Sequence, residues 1–185
     1  PSGIVKWYVQ VFDLEDELVA IATILTMVQK KQEVFTEITT DNIEMYLSKL
    51  DENSNPSWGI MTPQHMIEHL EHNYRIASSE IQDFTISTPE KHIEKVQETL
   101  YNYKPMPVGY DFPLYKKGQL EVLKHENLAT AKLKLLEARD AYLEFYKENP
   151  KAIVKNVVFG HLEKYEWYLL DRKHLNHHFK QFGLL

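Results

Sequence analysis

The stretch WGIMTPQHMIEHL, residues 58–70, decides the fold class. Thr62 followed by Pro63 is a strong helix start, because a threonine hydroxyl caps free backbone N–H groups and proline fits the first helical position. From there to about residue 83, apolar residues recur at the spacing of an amphipathic helix, about 3.6 residues. This stripe consists of Met66, Ile67, Leu70, Tyr74, Ala77 and Ile81. The stretch therefore predicts a helix that buries one face in a core.

Helical patterns of the same kind recur on both sides of this stretch. They cover residues 14–32, 40–50, 89–101, 119–147 and 162–180. The proline-rich residues 103–118 are predicted to form a loop, and residues 152–159 to be extended or irregular. Four substantial helices, little β pattern and no glycine-rich phosphate loop predict an all-α four-helix bundle. The helix at 14–32 would then be an extra N-terminal helical segment within residues 1–38.

The length of the chain predicts one globular domain, and its net charge argues against binding to nucleic acids or acidic membranes. The chain has 185 residues, of which 43% are hydrophobic and 26% charged, so residues 1–185 are predicted to form a single domain. The net charge is −6, from 21 basic and 27 acidic residues, and no dense basic cluster is present. Nucleic acids and acidic membrane surfaces are bound through such clusters. We therefore expect neither partner.

The chain has no cysteine, which excludes disulfides, thiolate metal sites and a cysteine nucleophile. The absence fits a reducing compartment. The longest nearly apolar run, residues 18–28, is far shorter than the ~20 residues that a membrane helix needs. We therefore expect a cytoplasmic protein.

The histidines are the residues that point to chemistry. His174 and His178 are four apart, which puts both imidazoles on one helix face, close enough for one metal ion. At about 100° per residue, they extend an apolar stripe and should point into the bundle. His69 lies on the border of the stripe of its own helix, whereas His65 and His72 rotate away toward water.

Three imidazoles from two helices therefore predict a divalent-metal site of His69, His174 and His178. Catalytic metal sites often have three protein ligands and an open position for water or substrate. The alternatives are a partly exposed H-x3-H pair, a structural His69, or a separate pair of His65 and His69. His177 faces inward by angle and is an additional candidate for contact with the site.

Other residues are placed beside the predicted ligands. Asn73, Asp171 and Gln181 each lie within a helical turn of one, where a polar side chain can fix the imidazole tautomer. Glu166 faces inward by angle and is a candidate acid or base, with helix capping or packing as the alternative. The remaining histidines are predicted to be surface or capping residues; they are His92, His125 and His161.

Two motifs resemble the signatures of one family. The segment WGxMTPQxMxxHL at 58–70, and the ending FGHL, EW and HxxHHFxQFGL within 159–184, resemble those of one branch of the DinB/YfiT-like superfamily. Together they cover about a third of the chain, in the expected order. Residues 1–38 and 84–118 show little resemblance.

The resemblance implies a four-helix bundle with a metal at one end. The metal histidines of the family fall on His69, His174 and His178, and the ion in relatives is usually divalent, such as zinc or nickel. Relatives include thiol-dependent transferases and isomerases, others are described only as metal-dependent hydrolases, and many members form dimers. It therefore implies a homodimeric metal-dependent enzyme that activates water or a small-molecule thiol toward a small-molecule substrate.

Two non-enzymatic interpretations stay open on the sequence. In the first, the domain is a non-catalytic metal-binding or accessory helical domain, whose metal is structural or vestigial. In the second, an acidic helical protein with exposed histidines binds a partner without metal. An open coordination position would favour the enzyme, and a site closed by side chains would favour the accessory domain.

Overall fold

The computed structural model describes residues 2–29, 35–109, 113 and 118–185, in two compact units, Pro1–Glu33 and Val34–Leu185. Within these residues, five helices accompany two small antiparallel sheets. The elements are β1 Ser2–Phe12, β2 Leu18–Gln29, α1 Thr40–Ser48, α2 Pro63–Ala77, α3 Glu90–Tyr101, α4 Leu128–Glu148, β3 Ile153–Asn156, β4 Gly160–Glu163 and α5 Lys164–Gln181. The predicted all-α four-helix bundle is therefore wrong, and the fold is mixed α/β.

The N-terminal unit is a long β-hairpin, not the predicted helical segment. Its strands pair antiparallel from Ser2 opposite Gln29 to Phe12 opposite Leu18. The side chain of Asp13 accepts hydrogen bonds from the backbone N–H groups of Glu15 and Glu17, both at 2.9 Å, and so closes the turn. The acidic residues at 13–17, which resemble the start of a helix, form this turn instead. The two strands are rich in β-branched and aromatic residues, which favour strands. Residues 30–32 of the predicted helix lie outside the described residues.

Helix α2 begins where the sequence predicts. The Thr62 hydroxyl accepts a hydrogen bond from the backbone N–H of His65, and Pro63 is the first helical residue. The helix ends at Ala77, short of the predicted residue 83, because Ser78 caps it and Ser79 adopts a φ of 64°. Such a left-handed conformation breaks the helical hydrogen-bond pattern.

Helix α4 begins later than predicted, at Leu128 instead of residue 119. The Asn127 side chain accepts from the backbone N–H of Thr130 at 2.9 Å and caps the helix. Residues 119–127 form neither helix nor strand. Their helix-forming composition is overridden by tertiary hydrogen bonds to α2, because the Glu68 carboxylate accepts from two backbone N–H groups of this segment.

The second hairpin, formed by β3 and β4, leads directly into α5, whose apolar residues pack in the core. Strands β3 and β4 pair from Ile153 opposite Glu163 to Asn156 opposite Gly160, and α5 follows directly. The indole of Trp167 donates to the carbonyl of Val154 at 3.2 Å, which joins the helix to the hairpin. Apolar residues of α2, α4 and α5 form one buried cluster, including Met66, Leu70, Leu135, Trp167 and Phe179. No helix in the described part of the chain is long and apolar enough to cross a membrane.

Candidate metal centre

Three histidines meet where α2 packs against α5. The Nε2 atoms of His69 and His174 are 2.8 Å apart, and those of His174 and His178 are 3.1 Å apart. All three residues offer a ring nitrogen within 4.8 Å of the others, which is close enough to hold one metal ion. The i, i+4 pair comes from one face of α5, and His69 approaches it from α2.

Burial keeps these imidazoles neutral. His174 and His178 are 8% and 6% exposed, and His69 is partly buried. Burial and, to a lesser extent, nearby histidines lower the pKa of His69 to about 4. Burial and neighbouring histidines also lower the pKa of His174 and His178 well below the ordinary value. Neutral imidazoles present the lone pairs that a metal ion needs.

Gln181 sets the tautomer of one ligand. Its Nε2 donates to the carbonyl of Trp58 at 2.8 Å, so its Oε1 faces His178 and accepts from Nδ1 at 2.8 Å. The proton of the neutral His178 is therefore on Nδ1, and the Nε2 lone pair points to the centre. Gly59, with a φ of 78°, leaves room for this amide, because a Cβ there would lie 3.0 Å from Gln181 Nε2.

The arrangement of the three imidazoles suits a bound divalent cation better than a set of hydrogen bonds among the rings. The Nε2 of His174 approaches two other Nε2 atoms, and a single hydrogen can bridge only one of these gaps. Ligands of a tetrahedral ion, at metal–nitrogen distances of about 2.0–2.1 Å, lie about 3.3 Å apart. The separations of 2.8 Å and 3.1 Å at His174 Nε2 are close to that value. Among the described residues, no carboxylate belongs to this group.

A cleft of about 250 Å³ connects the centre with solvent through His69. Of the three clustered histidines, only His69 lines it. The wall comprises α2 residues, Met61 and the segment 119–124: Met61, His65, Glu68, His69, His72, Gln119, Leu120, Glu121, Val122 and Lys124. The arrangement therefore gives a small molecule one route to the histidines.

Hydrogen bonds tie this segment to α2. The buried Glu68 carboxylate accepts from the backbone N–H groups of Lys124 at 2.8 Å and His125 at 3.1 Å, and from Gln64 Nε2 at 2.9 Å. Burial raises the pKa of Glu68, but these hydrogen bonds outweigh it and lower the pKa overall. The His125 ring also contacts Glu71, with Nε2 and Oε2 2.6 Å apart. The cleft wall is thus held by specific polar contacts.

His65 is a capping residue that also joins this wall. Its Nε2 donates to the carbonyl of Glu121 at 3.0 Å, so its Nδ1 accepts from the Thr62 hydroxyl at 2.6 Å. Both ring nitrogens are therefore occupied. His72, predicted to face water, is instead partly buried in the cleft wall, one turn beyond His69.

His177 adjoins the centre without joining the ligand group. Its ring packs edge-on against Trp58, with centroids 5.5 Å apart, and lies 5.0 Å from the ring of His178. Burial lowers its pKa, and a hydrogen bond to the backbone of Met106 opposes that shift. Much of the predicted loop at 103–118 lies outside the described residues, and its described part forms neither helix nor strand.

The other three residues predicted near the ligands differ in their surroundings. Asp171 belongs to a separate buried group, the Asp171 cluster, with Tyr74, Arg139 and Tyr142. Asn73 is partly buried and makes no side-chain hydrogen bond with another described residue. Glu166 caps α5, because its carboxylate accepts from the backbone N–H of Glu163 at 2.9 Å and from the Tyr101 hydroxyl at 3.0 Å. Glu166 therefore has the helix-capping role that the sequence analysis gave as the alternative to an acid or base.

Sequence reasoning missed the residues that shape the cleft. Gln64 and Glu68 are four apart on the same helix as His69, and that spacing signals a pair on one face. Nothing in the sequence indicates that their partners are backbone groups more than fifty residues away.

Comparison with known proteins yields no relative for this chain. No family model, no curated protein and no solved structure matches it. Membership of the DinB/YfiT-like superfamily therefore stays a prediction from two sequence motifs.

Proposed function

We propose that the protein is a metal-dependent enzyme in which His69, His174 and His178 hold one divalent ion beside the cleft. The observation that carries this proposal is the convergence of three neutral imidazoles, one of which also lines an open cleft. Zinc or nickel is the proposed ion, because nitrogen ligands suit both. The motif resemblance to a superfamily of such enzymes supports the proposal.

The chemistry follows from the donor set and the shape of the site. A divalent ion there would supply Lewis acidity, which polarises a carbonyl group or makes a water molecule or thiol more acidic. Because all three ligands are neutral, the ligands themselves would not offset the charge of the ion. We therefore propose hydrolysis by activated water, or transfer of a small-molecule thiol, as the two reaction types.

Each residue of the site has a defined task in this proposal. His174 and His178 form a rigid pair, since they are buried on one helix, and Gln181 holds the tautomer of His178. His69 closes the ligand set from α2 on the cleft side. The segment held by Glu68 forms the opposite wall and limits the space for water and substrate.

Metal content tests the proposal directly. Protein purified without a nickel column should contain about one divalent ion per chain by elemental analysis. His174→Ala should lose most of it, because two remaining imidazoles bind far more weakly than three. His92→Ala, a histidine exposed on α3, is the matched control and should keep its metal. Equal metal content in both variants would contradict the proposal.

A reaction screen then separates the two reaction types. Metal-loaded protein is assayed with ester and amide substrates for hydrolysis, and with thiols plus electrophiles for transfer. We expect turnover in one of the two series and its loss in His174→Ala. Full metal occupancy without turnover in either series would instead support a non-catalytic accessory domain.

A further inference from the structure

His72 stands out among the polar side chains of the cleft. The neighbouring polar groups are already engaged: Glu68 accepts three hydrogen bonds, and both ring nitrogens of His65 are occupied. The Nδ1 atom of His72, in contrast, is shielded from solvent and has no hydrogen-bond partner among the described residues. Buried polar atoms without a partner are rare and call for a physical reason.

The orientation of His72 leaves one ring edge for a ligand. Because Nδ1 is shielded and the residue lines the cleft, the edge that carries Nε2 is the one left to face it. Burial lowers the pKa of His72, and the positive charge of Lys124 lowers it further, so the ring is neutral near pH 7. An unpaired Nδ1 lone pair costs less than an unpaired N–H, so the proton belongs on Nε2, as a donor toward the cleft.

Lys124 supplies a positive charge beside this donor. Its ammonium group makes no ion pair with another residue in the described ranges, and its side chain lines the same cleft. Among the described residues of the lining, the other charged groups are Glu68, whose carboxylate accepts from three donors, and the exposed Glu121. With a divalent ion bound at the histidines, the cleft becomes net positive, which favours an anionic ligand.

We propose that His72 and Lys124 form a carboxylate-binding subsite, which holds one end of a small carboxylic acid whose other end reaches the metal ion. This inference rests on the proposed function, because it adds a substrate class to the same site. An imidazole N–H and an ammonium group beside each other are complementary to a carboxylate. His72 follows His69 by about one helical turn, roughly 5 Å along the axis, so two or three carbons would separate the two polar ends.

The subsite can be probed with two ligands that differ only in charge. Protein loaded with Co²⁺ is titrated with 3-mercaptopropionate and with 3-mercaptopropionamide, which is uncharged and nearly the same size. Each thiol releases its proton to solvent as its sulfur coordinates cobalt, and the visible absorption of the ion reports binding. We expect the carboxylate to bind about tenfold more tightly than the amide, since a charge-assisted contact contributes on the order of 1.5 kcal/mol.

Two variants connect this preference with the residues. His72→Ala and Lys124→Ala should each reduce the preference to about twofold or less, because the carboxylate loses more affinity than the amide. Lys124→Ala leaves the cleft wall intact, because Lys124 meets Glu68 through its backbone N–H. His92→Ala, remote on α3, should retain the full preference.

The possible failures are distinguishable. If the wild-type protein takes up cobalt but binds both thiols equally, the subsite is overturned while the metal centre stands. Full preference in both His72→Ala and Lys124→Ala also overturns it. If the wild-type protein takes up no cobalt, the metal centre and the subsite are both overturned.

Discussion

The histidine centre and the Asp171 cluster both contain side chains of α2 and α5. They differ in the charges of the polar groups that they bury. In the Asp171 cluster, an acid lies near a cation and a phenol of the same chain. Burial raises the pKa of Asp171 to about 6, and the Tyr74 hydroxyl and the positive charge of Arg139 oppose that rise. Arg139 itself donates to Thr40 Oγ1 at 2.8 Å and is 6% exposed. Its charge therefore has partners within the protein.

The histidine centre has a different composition. It gathers three bases whose lone pairs meet, with neither an acid nor a cation in the group. The difference suggests how to tell a structural polar cluster from a ligand site. The Asp171 cluster pairs groups of opposite charge, whereas the three histidines are all lone-pair donors of the kind that a cation can bind.

The largest difference between the two clusters should appear when metal is added. At a free zinc concentration of about 100 times Kd, the free energy of unfolding of the wild-type protein should rise by about 2.7 kcal/mol, because zinc binds the folded state. Asp171→Asn should show the same rise, and His174→Ala almost none. Denaturant unfolding with zinc and with a chelator measures it. A rise in His174→Ala equal to that of the wild type would place the zinc elsewhere.

A smaller effect should follow from Gln181, which orients a ligand without touching the ion. Gln181→Met removes the acceptor for His178 Nδ1 and should weaken zinc binding by about 10-fold, the lower end for such outer contacts. Competition with a chromophoric chelator gives the affinity. Asn73→Ala is the matched control, since the Asn73 side chain makes no hydrogen bond with another described residue and its removal should leave the affinity unchanged. Equal affinity in Gln181→Met and the wild type would rule out the orienting role.

The smallest effect concerns acid, to which the two clusters should respond with opposite sign. Burial lowers the pKa of His69 from 6.5 to about 4, so its stability contribution is complete above pH 6.5 and is lost as the pH falls toward 4. Burial raises the pKa of Asp171 from 3.8 to about 6, so its contribution is complete below pH 3.8 and is lost as the pH rises through 6.

Metal-free variants can separate these opposite contributions. Between pH 6.5 and pH 4.5, Asp171→Asn should lose about 1 kcal/mol more unfolding free energy than the wild type, because it lacks the compensating gain of the acid. His174→Ala should lose less than the wild type over the same range. Urea unfolding in the presence of a chelator, at several pH values, gives the slopes. Parallel curves for all three proteins would refute the assignment of opposite signs.

Sequence patterns identified local features where the cause is local. The Thr62–Pro63 pair placed the start of α2 correctly, because capping and proline geometry act within one turn. The four-residue spacing of His174 and His178 placed both on one face of α5, and the three predicted metal histidines do lie close enough to hold an ion. Gln181 contacts His178 for the same reason of helical spacing.

Predictions failed where distant residues or competing propensities determine the local structure or the contacts of a side chain. The run at 14–32 has acids before an apolar stretch, which resembles a helix start, but Asp13 closes a turn and the β-branched residues pair as strands. Residues 119–127 have a helix-forming composition, but Glu68 holds two of their backbone N–H groups. Asp171 lies within a turn of His174, yet its neighbours across the core are Tyr74 and Arg139.

By itself, the sequence determined the start of α2, the facing of the α5 histidines and the absence of cysteine chemistry, because these depend on residue type and on spacing within a helix. Only the tertiary structure decided that His69 meets His174 and His178, that His72 lines a cleft and that Asp171 does not join the centre. Those outcomes depend on how α2, α4 and α5 pack and on long-range hydrogen bonds, whose partners are distant in the chain.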